Sequence, residues 1–235
     1  MDDDLRNGLW NALTFSYWNR VEPMLWGYSL SSEVNRDMNV LCKRLWHNYF
    51  KMPVDILDDD WTVTRRKIRE YFFSCQWYEV YDFIEFIANN YPDEKGYLVN
   101  PEFMDFCNSV LERELSAYRF VGGKITQITS EEEISEVEEA LGISQPLKGV
   151  NTHLKSALDK LADRKSPDYR NSIKESISAV ESICNLITKE EKATLGQALK
   201  KIEGKVGLHP ALKSAFSSLY GYTSSAVNFK ALSRQ

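Results

Sequence analysis

Asp168-Tyr169-Arg170-Asn171-Ser172-Ile173-Lys174-Glu175-Ser176-Ile177-Ser178-Ala179-Val180-Glu181 decides the fold class. Its apolar residues Ile173, Ile177 and Val180 continue through Cys184 to Ile187 at steps of three and four, the spacing of one helical face. Asp168 stands before the run as an N-cap, so a helix is predicted from Tyr169 to about Ile187. Three similar patterns flank it. Val150, Leu154, Leu158 and Leu161 mark a helix before it, and Pro167 follows that helix's end. Thr188 and Glu191 have capping-box spacing for a third, whose apolar face is Leu195, Ala198, Leu199 and Ile202. Pro210 opens a fourth, with Leu212, Phe216 and Leu219 expected to face inward.

Upstream the pattern stays helical. Trp77, Tyr81, Ile84, Ala88 and Tyr91 share a face that Val80 and Ile87 widen. Residues 60–73 predict another helix, opened by Thr62 or Thr64 and carrying Arg65, Arg66, Lys67 and Arg69. That basic cluster either meets phosphate or forms a solvated face paired with Asp58, Asp59 and Asp60. The stretch 118–129 breaks the helical run. Gly122-Gly123 between Phe120-Val121 and Lys124-Ile125-Thr126 predicts a hairpin with a two-residue turn, since adjacent glycines supply positive φ. An acidic helix follows, boxed by Ser130 and Glu133 and ended by Gly142, and residues 144–149 are the linker candidate. The expected fold is mostly α: two helical domains with a small β-hairpin near residues 118–129.

Charge divides the chain in the same way. The 235 residues carry a net charge of −5. Residues 1–142 hold 14 Lys/Arg against 26 Asp/Glu, whereas residues 143–235 hold 15 against 8. All six tryptophans lie between Trp10 and Trp77. An acidic, aromatic-rich domain over 1–142 and a basic helical domain over 143–235 are therefore expected, with different partners or, more simply, by drift of a small basic domain. Hydrophobic content of 43% excludes a largely disordered chain. No run of about 18 apolar residues offers a membrane span. Asp2, Asp3 and Asp4 have the wrong sign for a secretory leader, so a cytoplasmic location is expected.

Chemical motifs are sparse. Neither G-x-G-x-x-G nor G-x-x-x-x-G-K-[ST] occurs, and no cofactor is implied. Cys42, Cys75, Cys107 and Cys184 are scattered and read as core thiols. His47, His153 and His209 lack H-E-x-x-H spacing, so no metal set is predicted. His47 reads as structural, His209 as helix entry before Pro210, and His153 as flanking a groove. On the helix from Tyr169, residues Asn171, Lys174, Glu175 and Ser178 fall away from the Ile173/Ile177 stripe. Arg170 and Lys174, one turn apart, suit a phosphate, and Glu175 can orient a cation. An ordinary solvated face with local ion pairs, each worth about 0.2–0.5 kcal/mol, is the competing reading.

Several stretches carry a family resemblance. The 168–181 sequence closely resembles the C-terminal domain of AbiJ-type bacterial abortive-infection proteins. So do Tyr118-Arg119-Phe120-Val121-Gly122-Gly123-Lys124-Ile125-Thr126, Thr194-Leu195-Gly196-Gln197-Ala198-Leu199, Leu208-His209-Pro210-Ala211-Leu212-Lys213 and Leu219-Tyr220-Gly221-Tyr222-Thr223-Ser224. Leu5-Arg6-Asn7-Gly8-Leu9-Trp10 resembles the start of one class of N-terminal domain in that group. The resemblance implies an anti-phage protein whose first part senses infection or binds a partner. It also implies a HEPN-like C-terminal helical bundle, a fold of metal-independent ribonucleases that are often homodimers and use an Arg and a His from a late helix.

The chain departs from that pattern near its end. No His follows His209, and where the Arg-His element is expected the sequence reads Asn228-Phe229-Lys230-Ala231-Leu232, so the end is read as shortened or altered. Lysine lacks the planar fork that clamps phosphate. The resemblance then implies RNA binding through Arg170, Asn171, Lys174 and Glu175, with no catalytic residues placed and ribonuclease activity absent. A possible homodimer and an infection trigger or protein partner of unknown identity are the other expected partners. The rival readings are a protein-interaction module without a nucleic-acid role, and a ribonuclease using unconventional residues such as His153 with Arg170.

Overall fold

Asp2 starts the first helix. Its carboxylate accepts the Leu5 N–H at 3.0 Å, and Asp3 and Asp4 face the positive end of the helix dipole. The computed structural model describes residues 1–224 other than 26, 93–99, 190–192 and 208, and the side chains of 204–206 and 223–224 also lie outside the description. Among the described residues the chain is mostly α, with ten α-helices and one two-stranded sheet. By internal contacts it divides into a first compact unit, residues 1–131, and a second from residue 132.

In the first unit, α1 (Asp3–Ser16) leads through a tight turn, Trp18–Arg20, to α2 (Arg36–Arg44). A wide turn at Leu45–Tyr49 then leaves His47 exposed, so its ring has no buried structural role. α3 (Trp61–Ser74) is capped by Asp60, which accepts the Thr62 N–H at 2.7 Å, ahead of the predicted Thr62 or Thr64. α4 (Trp77–Asn90) opens where Glu79 accepts the Gln76 N–H at 2.8 Å. α5 (Pro101–Arg113) opens with Asn100 as cap and Pro101 at its first position. The core these helices share is aromatic. Tyr17, Trp18, Phe72, Phe83 and Phe103 are buried, with Tyr17 and Phe103 ring centroids 4.8 Å apart and Trp10 and Phe72 5.2 Å apart.

The hairpin forms as the glycine pair predicts. β1 (Arg119–Val121) pairs antiparallel with β2 (Lys124–Thr126), Phe120 opposite Ile125, and Gly122 and Gly123 take φ of 55° and 86°. Two short strands do not hold alone in water; here both outer edges are bonded to helices. Asn108 of α5 accepts the Phe120 N–H at 2.7 Å and donates to the Phe120 carbonyl at 3.1 Å. Glu85 of α4 accepts the Ile125 N–H at 2.9 Å, and Asn89 donates to the Gly123 carbonyl at 2.8 Å.

The second unit holds α6 (Glu131–Ile143), α7 (Lys148–Ala162), α8 (Tyr169–Thr188), α9 (Leu195–Val206) and α10 (Pro210–Ser224). The stretch 144–149, read as a linker, is instead a bonded turn. Ser144 is buried, its hydroxyl donates to the Leu141 carbonyl, and Asn151 donates to Ser144 Oγ at 2.9 Å. Thr188 ends α8 rather than starting the next helix, and Glu191 lies outside the described residues. The box that opens α9 is Thr194 with Gln197, whose Oε1 accepts the Thr194 N–H at 3.0 Å. Leu195, Ala198, Leu199 and Ile202 are buried against Ile177 and Cys184 of α8. On α10 only Phe216 packs on that cluster. Leu212 and Leu219, expected to face inward, are 47% and 39% exposed.

Candidate nucleic-acid interface

α8 is the central helix of the second unit because it has two packing sides. Ile173, Ile177, Val180 and Cys184 meet α9 and α10. Ser172 and Ala179 lie about 100° away around the helix and are buried. On that side the Ser172 hydroxyl donates to the Ala157 carbonyl of α7 at 2.8 Å, a buried bond locking the two helices in register. The α7–α8 loop is set by two carboxylates. Asp163 accepts the Lys165 and Ser166 N–H groups, and Asp168 caps α8 through the Asn171 N–H at 3.1 Å. These bonds hold both carboxyls below the usual carboxylate range.

The structure sorts the four RNA-binding candidates into different settings. Asn171 is exposed, and its amide donates to Asp168 Oδ2 at 2.6 Å, so it completes the cap. Glu175 turns to α7, where its carboxylate lies 2.7 Å from His153 Nδ1, the two side chains being 24% and 37% exposed. Arg170 is half-buried in the first turn, and its charge helps keep Asp168 ionised. Lys174 is exposed. Glu175 thus leans toward His153, not toward Lys174, and the contacts described do not gather the four into one pocket. His153 bonds Glu175 rather than meeting Arg170 in any described contact.

What the arrangement offers chemically is an imidazole with one nitrogen held by a carboxylate, and separately a set of cations along α8 to α10. Sequence reasoning missed where those cations concentrate. Residues 143–188 hold 7 Lys/Arg and 5 Asp/Glu, while residues 189–235 hold 8 and 3. Lys200 and Lys201 on α9 are exposed, and Lys213 of α10 pairs with Glu203. The signal was available as a running charge along the chain, not as a motif. The predicted end element around Lys230 and Ala231 lies outside the described residues.

In the first unit the expected pairing of Asp58, Asp59 and Asp60 with the α3 cations does not form. Asp58 accepts the Asp60 N–H, Asp59 accepts Ser29 Oγ–H and the Ser31 N–H, and Asp60 caps α3. Three of the four cysteines are buried thiols, Cys75 is half-buried, and all are free. Among the described residues no group of three His, Cys, Asp or Glu could hold a metal ion, and no helix is long and apolar enough to cross a membrane.

These features define a mostly helical chain of two compact units, the first dense and aromatic, the second opening on an acidic helix and basic from residue 143 onward. The family model for AbiJ N-terminal domain 4 matches residues 1–142, and the chain belongs to that family. No curated protein and no solved structure matches it.

Proposed function

We propose that the chain is a cytoplasmic phage-defence protein of the abortive-infection type, in which residues 1–142 sense infection or bind a partner and a HEPN-like domain over 143–235 binds RNA without cutting it. The observation that carries this reading is the family match over 1–142 joined to a chain remainder with 15 Lys/Arg against 8 Asp/Glu. Neutralised phosphates release condensed counterions, so a surplus of cations favours a polyanion. Lys174, Lys200 and Lys201 are exposed and supply phosphate contacts. Arg170 lies one turn from Lys174 on α8, and Asn171 and Glu175 shape the α8 surface without bonding RNA themselves. Cleavage is not expected, because these 235 residues carry no Arg-His element after His209.

Lys174→Glu in the full chain tests the reading. Affinity for single-stranded RNA should fall about tenfold while the thermal unfolding of the protein stays put. Unchanged affinity would favour a protein-interaction module instead. A second reading has one observation of its own. Glu175 at 2.7 Å from His153 Nδ1 orients the ring as a general base is oriented, leaving Nε2 for a ribose hydroxyl. Metal-free RNA cleavage that His153→Gln abolishes would establish it.

A further inference from the structure

The first unit contains a cavity of about 700 Å³ that none of the preceding chemistry uses. Part of its lining is aromatic. Trp18 and Trp61 are almost fully buried, with ring centroids 5.4 Å apart, and half-exposed Tyr28 forms one wall. The lining is also cationic: Arg65, Arg66 and Arg69 project from α3 at spacings of one, three and four residues, one face of two successive turns.

The segment carrying Tyr28 is fastened to the start of α3. The Trp61 N–H donates to the Tyr28 carbonyl at 2.8 Å, the Leu30 N–H to the Asp59 carbonyl at 2.8 Å, and Ser29 Oγ to Asp59 Oδ2 at 2.7 Å. The cavity is therefore built from bonded elements rather than left between loose ones. Arg69 Cζ lies over the Phe73 ring, 4.5 Å from its centroid, a cation–π contact. Among the described residues no ion pair joins Arg65, Arg66 or Arg69 to a carboxylate. Three of the 14 basic residues of the acidic half line the cavity, so it is a positive spot on a negative domain.

Three guanidinium groups lining one cavity beside an exposed tyrosine ring suit a ligand with phosphate at one end and a planar ring at the other. The volume lies within the range of about 300–1,000 Å³ of small-molecule sites. A peptide carboxylate would use the forks but leave the exposed Tyr28 ring uncovered. We propose that this cavity is a nucleotide-binding site, the phosphates held by Arg65, Arg66 and Arg69 and the base lying against Tyr28 and the exposed edges of Trp18 and Trp61. The site stands independently of the RNA reading, since every residue in it belongs to the first unit.

Isothermal titration calorimetry of the full chain with ATP, GTP, CTP and UTP tests it, with pyrophosphate and adenosine as the two half-ligands. At least one nucleotide should bind at a single site, about tenfold or more tighter than either half-ligand. Arg66→Ala, whose side chain is exposed, and Arg65→Ala should each weaken it about tenfold. Lys67→Ala, outside the cavity on the same helix, and Lys174→Glu, in the second unit, should leave it within twofold. The proposal is overturned if no nucleotide binds at millimolar concentration, if pyrophosphate binds as tightly as the nucleotide, or if Lys174→Glu and not Arg66→Ala removes binding.

Discussion

The two units bury themselves by different means. In the first, large rings fill the interior and polar side chains bridge elements distant in sequence: Asn35 holds Glu22 and Ser29, Asn108 holds β1, and Glu85 holds β2. In the second, the cluster between α8, α9 and α10 is small and aliphatic apart from the half-buried Phe216, and Leu212, Leu219, Tyr220 and Tyr222 of α10 stay exposed. Large aromatic contacts give a stiff scaffold on which a cavity keeps its shape. A thinner seam gives long helices whose solvent faces are open to a charged partner.

Core truncation should break this contrast most visibly. Phe72→Ala should cost about 3–5 kcal/mol, because a fully buried ring touching Trp10, Phe73 and Phe83 is removed. Leu199→Ala, in the second unit, should cost about 2–4 kcal/mol, nearer the low end if the thinner seam can collapse. Urea unfolding of the two variants measures both; a larger loss for Leu199→Ala would reverse the comparison.

The polar bridges come next. Asn35 is 2% exposed and makes three bonds, accepting the Glu22 N–H at 2.9 Å and donating to the carbonyls of Glu22 and Ser29 at 3.1 and 2.8 Å. Asn35→Ala strips all three and should cost about 2–3 kcal/mol. The matching change in the second unit, Ser172→Ala, removes one bond to the Ala157 carbonyl and should cost about 1 kcal/mol. Equal losses would show that the bridges of the first unit carry no special weight.

The smallest expected effect is on acid stability. Hydrogen bonds from Ser29 and Ser31 hold the Asp59 carboxyl below its ordinary value. A carboxylate with a depressed folded pKa adds stability above its unfolded pKa of about 3.9, and that stability is lost as pH falls through the folded value. Asp59→Asn should therefore lower stability slightly at pH 7 and flatten its decline below about pH 4. Because Asp59 is exposed, the difference should be small, and an unchanged acid limb in paired thermal scans would remove Asp59 from the account.

Local signals were the legible part of the sequence. Gly122-Gly123 announced the hairpin and Asp168 announced α8, because a turn's φ and an N-cap depend on neighbouring residues alone. The capping-box spacing at Thr188 misled because the same short pattern recurs at Thr194, and only the α8–α9 packing selects the second. Asp58, Asp59 and Asp60 looked like partners for the α3 cations because they are close in sequence. In the fold they serve the 28–31 segment and the helix cap, a tertiary choice invisible to local reading. The same holds for Glu175, whose partner His153 lies 22 residues away. The cavity was missed for that reason too, since Trp18, Tyr28 and Arg65 converge only after folding.

The central claim is that the cationic remainder of the chain holds RNA and leaves it whole. Fluorescence anisotropy of the full chain with an end-labelled single-stranded RNA, at 50 and 200 mM salt without metal, tests this directly when the same samples are then run on a denaturing gel. The account predicts affinity about tenfold or more weaker at the higher salt, as release of a few counterions requires, and an intact RNA band. No binding at 50 mM, or a cleaved band, would contradict it.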